Sequence, residues 1–290
     1  MKRMFLMWLM LTPIIGFASN LPKGDQVPGG VAVVQLPDST TAPVVKMNDQ
    51  RIMVLQDAGH WFAIAGIPLA TQPGDLALDV TSGSEQPVQL KFHVADKHYP
   101  EQDLTIKNPH LVNPTPAELK RIEREQAHLH RVLDTWKSRS DPGLAFIWPA
   151  AGPQTSGFGL KRVLNGEPRS PHSGIDIGAA EGTPVRAPES GIVADVGHYY
   201  FCGNTLTIDL GQGLYSVYCH LSRIDVHKGT HVKRGEVVGA IGATGRTTGP
   251  NLHWTVSLNG TPVNPHDFLV EGPPEATQPE ETPKSSSGNL

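Results

Sequence analysis

The chain has 290 residues, with 24 Lys and Arg against 28 Asp and Glu, and a formal net charge of −4. This balance gives no electrostatic reason to bind nucleic acid or an anionic membrane surface, so no nucleic-acid partner is expected. The length allows about two domains, and the 30 Gly and 26 Pro indicate many turns and short strands rather than a helical bundle.

The first residues follow the pattern of an export signal. Lys2 and Arg3 form a positive start, residues 4–17 are mostly apolar, and Ala18 is a small residue at the expected cleavage position. The apolar run is about 14 residues, shorter than the ~20 that a membrane-spanning helix needs. No Cys follows it as an attachment point for lipid. We therefore predict a signal peptide over residues 1–18 and an exported, for example periplasmic, mature protein with no stable membrane span.

Residues 21–112 alternate short apolar runs with clusters of turn residues. The runs are β-branched or alternate in polarity, which is typical of strands. They predict a small β-sandwich-like domain. Its histidines are isolated from one another, so no catalytic site is expected there. The predicted strands are 31–36, 51–55, 61–64, 76–80, 88–94 and 103–106.

Residues 113–140 contain the one predicted helix, which spans 115–138. Thr115 is a good N-cap, Pro116 suits the first helical position, and Glu118 completes a capping box. Apolar residues then recur at helical spacing, and we expect this face to pack between two β-rich units. The apolar positions are Leu119, Ile122, Leu129, Val132, Leu133 and Trp136.

Strand-like segments return over residues 145–270, whereas residues 271–290 have little to bury and are expected to be disordered. Cys202 and Cys219 flank a predicted hairpin, which leaves open a disulfide and two buried free thiols. Neither alternative makes them metal ligands. The aromatic run 199–201 is expected in the core, with a substrate groove as the alternative.

Three local patterns in this second unit carry ligand-type side chains. The first is His172 with Asp176 four residues later, and the second is His220 at the end of a strand-like run. Alternation places His220 on the same face as Tyr218. In the third pattern, Asn251 and His253 share one face of a strand with Thr255, and the opposite face is apolar. The apolar face consists of Leu252, Trp254 and Val256.

Together these motifs resemble the lysostaphin- or LytM-type zinc metallopeptidases, which cut peptide cross-links in bacterial peptidoglycan. The resemblance rests on the segments 171–177, 218–222 and 248–254 and on the glycine-punctuated stretch 232–245, and it covers roughly 145–270. It implies an antiparallel β fold with the site in a groove. The mainly β fold class therefore comprises an N-terminal β-sandwich-like accessory domain, a linking helix and a C-terminal LytM-type domain.

Carried over residue by residue, the resemblance makes His172, Asp176 and His253 the ligands of Zn²⁺. It makes His220 a catalytic histidine beside an activated water. The family usually has His where this chain has Asn251, which cannot take up a proton near pH 7. The resemblance implies an exported peptidoglycan DD-endopeptidase acting on peptide cross-links. It also implies that the preceding region shields the groove, and it leaves any regulatory partner unidentified.

An alternative of a different class remains open. Asn251 also fits a catalytically silent LytM-like domain that binds peptidoglycan or activates another cell-wall hydrolase. The chain keeps every residue that the resemblance assigns to the metal, which favours the enzyme.

Overall fold

The computed structural model describes residues 21–83, 86–139, 142–270 and 272. The predicted signal peptide at 1–18 and, apart from Gly272, the predicted tail at 271–290 lie outside these described residues. The described chain is mainly β, as predicted, with one α-helix, and its sheets are almost wholly antiparallel. No helix among the described residues is both long and apolar enough to span a bilayer.

The first part of the chain supplies seven strands and the helix. They are β1 (Val31–Gln35), β2 (Val44–Met47), β3 (Gln50–Asp57), β4 (His60–Gly66), β5 (Gly74–Thr81), β6 (Val88–Val94), β7 (Glu101–Leu104) and α1 (Pro116–Leu133).

The second part supplies twelve strands. They are β8 (Gln154–Ser156), β9 (Lys161–Leu164), β10 (Glu167–Pro168), β11 (Ile175–Gly178), β12 (Pro184–Arg186), β13 (Gly191–Tyr199), β14 (Gly203–Gly211), β15 (Leu214–Ile224), β16 (His231–Val232), β17 (Val237–Ile241), β18 (Asn251–Leu258) and β19 (Thr261–Val263). Short 3₁₀ turns lie at Pro109–Leu111 and Pro265–Asp267.

Strands β1 to β6 form one antiparallel sheet in the order β1-β4-β3-β2-β5-β6. All six strands contribute to a single apolar cluster, so the sheet curves around its own core. Three of them are also apolar on the opposite face. There Val31, Met53 and Ile64 join the core of the second unit, so the two units share buried surface rather than meeting at a polar boundary.

The second unit is a ten-stranded sheet with the main path β16-β13-β14-β15-β18-β11-β8. Its long central strands β14, β15 and β18 are buried along most of their length. Trp254 is fully buried at the centre, and its indole nitrogen donates a hydrogen bond to the Ser216 hydroxyl at 2.8 Å. This central core holds the strands that carry the candidate ligands.

The segment between the two sheets runs along the second unit. Strand β7 pairs in parallel with β9, beside the β9-β10 hairpin. Helix α1 then lies against β13, where His128 Nε2 is 3.0 Å from an Asp195 carboxylate oxygen and Glu125 accepts a 2.7 Å hydrogen bond from the Tyr200 amide. Ile122 is the one buried residue of α1 and Leu119 is exposed, so these polar contacts, rather than a fully buried apolar face as predicted, hold much of the helix in place.

The helix begins as predicted and ends earlier than predicted. Thr115 and Glu118 form the expected capping box, but α1 ends at Leu133 rather than at 138. Beyond it the chain turns so that Trp136 packs partly against the shared core, with the Arg51 guanidinium 4.8 Å from its ring. Tertiary packing of Trp136 thus replaces the last helical turn that the periodicity predicted.

Two hairpin-turn amides connect the sheets. Asn259 Oδ1 accepts a 2.7 Å hydrogen bond from the Gly66 amide, and Asn259 Nδ2 donates to the Gly66 carbonyl at 3.3 Å. Gln212 makes the same paired contact with Val54, at 3.0 and 3.2 Å. Each amide side chain therefore acts as a substitute strand partner for a buried residue of the other sheet.

We expect Asn259→Ala to lower the free energy of unfolding by about 1–3 kcal/mol, because it leaves the buried Gly66 amide and carbonyl without partners. Urea unfolding followed by circular dichroism measures the change. Asn48→Ala is the matched control: Asn48 has a similar positive φ of 48°, against 43° at Asn259, but its side chain is exposed. Equal losses in the two variants would show that backbone strain, not the paired contact, sets the cost.

Candidate metal centre

The candidate site lies on one row of the ten-stranded sheet. Across neighbouring strands, Ser156 of β8 pairs with Asp176 of β11, Asp176 with His253 of β18, and His253 with Cys219 of β15. Directly opposed residues of antiparallel strands project from the same face. The strand register alone therefore brings the carboxylate of Asp176 beside the imidazole of His253.

His172 reaches this row from the loop before β11. Its amide donates to the Leu160 carbonyl at 2.9 Å, and its carbonyl accepts from the Gly159 amide at 2.8 Å, so the backbone holds the loop in place. Gly174 allows the loop to lie close to β18, because a Cβ at this position would be 2.3 Å from the Trp254 carbonyl oxygen. The structure thus places His172 against His253, with ring centroids 4.9 Å apart.

Three candidate ligand atoms converge here. His172 Nε2 lies 3.0 Å from Asp176 Oδ1 and 2.9 Å from His253 Nδ1, and His253 Nδ1 lies 2.9 Å from Asp176 Oδ1. They form one of the groups of ligand-type side chains that could hold a metal ion. Imidazole nitrogen and carboxylate oxygen are ligands that Zn²⁺ binds in proteins. The donor set therefore fits zinc.

Hydrogen bonds on the far side of each ligand orient it toward this point. Nδ1 of His172 is 2.6 Å from the Gly157 carbonyl. Since a carbonyl only accepts, Nδ1 carries the proton and Nε2 has its lone pair free for a metal. Nε2 of His253 lies 3.0 Å from the Thr255 hydroxyl. Arg162 donates to the second carboxylate oxygen of Asp176 at 3.0 Å.

Two of the three side chains have charge states that suit a cation site. Burial lowers the pKa of His172 from its ordinary value. Burial alone would raise the pKa of Asp176, but the imidazoles of His172 and His253 outweigh it and hold that pKa well below the usual range. The carboxylate is therefore ionised and the His172 ring neutral near pH 7, which are the forms that bind metal. Burial alone would lower the pKa of His253, but its contact with the Asp176 carboxylate outweighs burial and raises that pKa, so a metal competes with a proton at this ring.

His220 also faces this site, but the predicted alternation is wrong. Tyr218 is buried in the core, whereas His220 lies on the other side of β15, its ring centroid 6.1 Å from that of His253. The reason is a β-bulge in which His220 has a φ of 66°, which interrupts the period of two. Its Nδ1 donates to the Thr244 carbonyl at 2.7 Å, and burial lowers the pKa of His220 to about 4. The ring is therefore neutral near pH 7.

Asn251 lies at the start of β18, two residues before His253. Its side-chain Oδ1 accepts a 3.1 Å hydrogen bond from the Thr247 hydroxyl, and the residue is half-buried. Thr255 shares its face, and the opposite face of β18 is fully buried in the core, so the alternation predicted for this strand is confirmed. Asn251 thus lines the same cavity as the three candidate ligands.

The two cysteines are neighbours and are free thiols in this structure. Cys219 is buried opposite His253, and Cys202 lines the cavity. A hydrogen bond with Cys219 lowers the pKa of the Cys202 thiol. Of the two alternatives that the sequence left open, the structure has the thiol form.

The site opens into a cavity of about 350 Å³. Its walls include residues that sequence reasoning missed, among them Arg162, Arg246 and Gln102. Gln102 belongs to β7, in the segment between the two sheets, which we call the connector. Nothing in the local sequence marks these residues. The expectation that the aromatic run 199–201 fills the core is wrong, because all three residues are half-buried and none belongs to an apolar core. Phe201 lines the cavity, with the Arg246 guanidinium 4.1 Å from its ring.

The connector also contributes to this cavity. Gln102, Leu104 and Ile106 line one side of it, and Asn165 fixes Ile106 by accepting a 2.8 Å hydrogen bond from its amide and donating one to its carbonyl at 3.0 Å. The segment between the two sheets, rather than the curved N-terminal sheet, therefore forms this side of the groove.

Two family models match the chain. Residues 170–265 match the peptidase family M23, and residues 25–97 match the peptidase family M23 N-terminal domain. The first range contains all five candidate site residues.

Curated relatives match about a third of the chain. The chain is 43% identical over 107 residues to the DD-carboxypeptidase/endopeptidase Mpg of Neisseria meningitidis, covering 37% of this chain and 24% of the relative. It is 41% identical over 95 residues to the peptidoglycan DD-endopeptidase ShyA of Vibrio cholerae, covering 33% and 22%. The match therefore spans less than a quarter of either relative.

One solved structure matches nearly the whole chain. A crystal structure assigned to peptidase M23 from Pseudomonas aeruginosa is 38% identical, with a TM-score of 0.72, and the match covers 85% of this chain and 96% of that one. Both units of the chain therefore have a counterpart in one solved structure.

Arg162 is expected to position Asp176 for metal binding. We expect Arg162→Gln to weaken zinc affinity by about 10–100-fold, because the carboxylate loses the partner that orients it. Competition with a chelating dye measures the affinity. Arg169→Gln is the control, since Arg169 also lines the cavity but pairs with Glu167 at 2.7 Å. Equal affinities in both variants would remove Arg162 from this role.

Proposed function

This chain belongs to peptidase family M23, and from its site we propose that it is an exported zinc metallo-endopeptidase that hydrolyses peptide cross-links of bacterial peptidoglycan. The observation that carries the proposal is the convergence of His172 Nε2, Asp176 Oδ1 and His253 Nδ1 at a cavity large enough for a peptide. The printed activities of the relatives from Neisseria and Vibrio support the substrate class.

We propose that His172, Asp176 and His253 hold the zinc. When bound, zinc supplies a Lewis acid that lowers the pKa of water to about 7 and polarises the scissile carbonyl. Two imidazoles and one carboxylate are three protein ligands, which is the number typical of catalytic rather than structural zinc sites.

His220 is proposed as the group that moves the proton. Its Nδ1 proton is donated to the Thr244 carbonyl, so Nε2 is unprotonated in the neutral ring. Nε2 takes the proton of the attacking water and then delivers it to the nitrogen of the leaving amine. The bulge at His220 is what brings this nitrogen to the ligand side of the sheet.

Asn251 has a different role from the histidine that the family usually carries. Its amide nitrogen donates hydrogen bonds, so it can orient the substrate carbonyl or stabilise negative charge on its oxygen. It cannot accept a proton near neutral pH, so proton transfer falls to His220. Export is proposed from the signal pattern at 1–18, and it places the protein in the compartment of the cross-links.

The experiment is a digest of purified peptidoglycan with the protein from residue 19 onward. Mass spectrometry of the released fragments should show loss of cross-linked dimers, and a chelator should stop that loss. His172→Ala should reduce the rate by at least about 100-fold, because the metal loses a ligand. His227→Ala, a change at an exposed histidine outside the cavity, should leave it unchanged. The masses of the fragments identify the bond that is cut.

A different result would favour the alternative. If the protein binds one zinc per chain and releases no fragments, the hydrolase is excluded, and a peptidoglycan-binding or activating role takes its place.

Placing a proton acceptor at position 251 should accelerate the reaction. We expect Asn251→His to raise kcat by about 10²-fold, the lower end of what a positioned acid–base group contributes. Steady-state kinetics on soluble cross-linked fragments measures this, with Asn251→Ala as the variant that removes the amide without adding a base. An unchanged kcat in Asn251→His would mean that His220 alone carries the proton transfer.

A further inference from the structure

Arg246 is a half-buried cation without a carboxylate partner among the described residues. The other two arginines that line the cavity are paired, Arg162 with Asp176 at 3.0 Å and Arg169 with Glu167 at 2.7 Å. Arg246 makes one side-chain hydrogen bond in the described chain, from Nη1 to the Leu111 carbonyl at 3.3 Å. A guanidinium has five N–H donors, so most of its capacity is unused.

The structure holds this guanidinium in a fixed position. Phe201 lies under it, with 4.1 Å between the guanidinium carbon and the ring centroid, and the Arg246 amide donates to the Phe201 carbonyl at 2.7 Å. Stacking on one face and a carbonyl at one nitrogen fix the plane of the group. The remaining donors are thus oriented in advance for a planar acceptor, and little side-chain freedom is lost when one binds.

The surroundings of Arg246 are positive. Burial lowers its pKa from the ordinary value, Cys202 opposes this shift, and Arg169 and Arg162 add to it. Asp176 is the one acidic residue among those that line the cavity, and it already contacts Arg162 and the two imidazoles. The chain as a whole carries a formal charge of −4, so this cationic groove is a local feature. A desolvated charge normally has a counter-ion.

We propose that Arg246 binds a free carboxylate of the substrate peptide and so selects for anionic peptides. This inference rests on the proposed function, since stem peptides of peptidoglycan carry free carboxylates. Arginine and carboxylate form paired, parallel hydrogen bonds, which fix the orientation of the peptide as well as its affinity. Arg246 is therefore a specificity-determining residue of the cavity wall and is not one of the proposed zinc ligands.

Two carboxylates of a stem peptide could be the one bound: the side-chain carboxylate of diaminopimelate and the terminal carboxylate of D-alanine. Three soluble cross-linked dimers distinguish them: one with free carboxylates, one amidated on diaminopimelate, and one amidated at the terminus. For the wild-type protein, amidation of the bound carboxylate should lower kcat/KM by about 10–100-fold, mainly through KM. Amidation of the other should have little effect.

In Arg246→Gln, kcat/KM for the free-carboxylate dimer should be lower than in the wild type by the same ~10–100-fold. Amidation of the bound carboxylate should cause no further decrease of kcat/KM in this variant. Arg246→Lys should fall between the two, because it keeps the charge but not the planar fork. Arg223→Gln is the control, since Arg223 is exposed, pairs with Asp225 and lies outside the cavity. Zinc content and thermal midpoint should match the wild type in all variants.

If Arg246→Gln lowers kcat/KM for all three dimers by the same factor, the assignment of Arg246 to a carboxylate is overturned. If the wild-type protein cleaves none of them, the proposed function fails, and the inference is then decided by binding. Calorimetric titration with an uncross-linked tetrapeptide should give a dissociation constant about 10-fold weaker for Arg246→Gln than for the wild type. An equal constant for both proteins overturns the inference.

Discussion

The antiparallel pairing of β11 with β18 is the constraint on which the site depends. It sets Asp176 opposite His253 on one face, and on the other face it sets buried residues of the two strands within the core. A shift of β11 by one residue against β18 would pair Asp176 with a core-facing residue, so its carboxylate would turn into the core and apolar side chains of β11 would be exposed. The packing energy of the core therefore also fixes the distance between the two ligands, and the metal need not create that geometry.

The same logic extends to the whole molecule, because the two units share their buried surface. The outer face of β1, β3 and β4 belongs to the core of the second unit, and Gln212 and Asn259 bond to backbone of the first unit. Removing residues 19–140 would expose the part of the second unit's core that this face covers, and it would also remove one side of the groove. Such a truncation would therefore change stability and substrate binding together, so it could not isolate shielding of the groove.

Much of this arrangement could be predicted from sequence because it follows local rules. The capping box at Thr115, the strand runs and the alternation along β18 depend on neighbouring residues. The features that could not be predicted depend on contacts between residues that are distant in the sequence. His220 leaves its expected face because of a bulge, Phe201 lines a cavity because Arg246 stacks on it, and α1 ends early because Trp136 packs elsewhere. No spacing rule in one sequence encodes such contacts.

The positive charges around the site explain how the buried carboxylate of Asp176 is tolerated and why the groove keeps a positive charge. Asp176 divides its two oxygens between the imidazoles and Arg162, so its charge is compensated without further acid. A bound divalent metal would add positive charge to a groove that already contains Arg246. A cation that holds Asp176 ionised, such as Arg162, thus also makes the groove more favourable for anions. The electrostatics that hold Asp176 ionised and the preference for an anionic peptide are consequences of the same excess of cations.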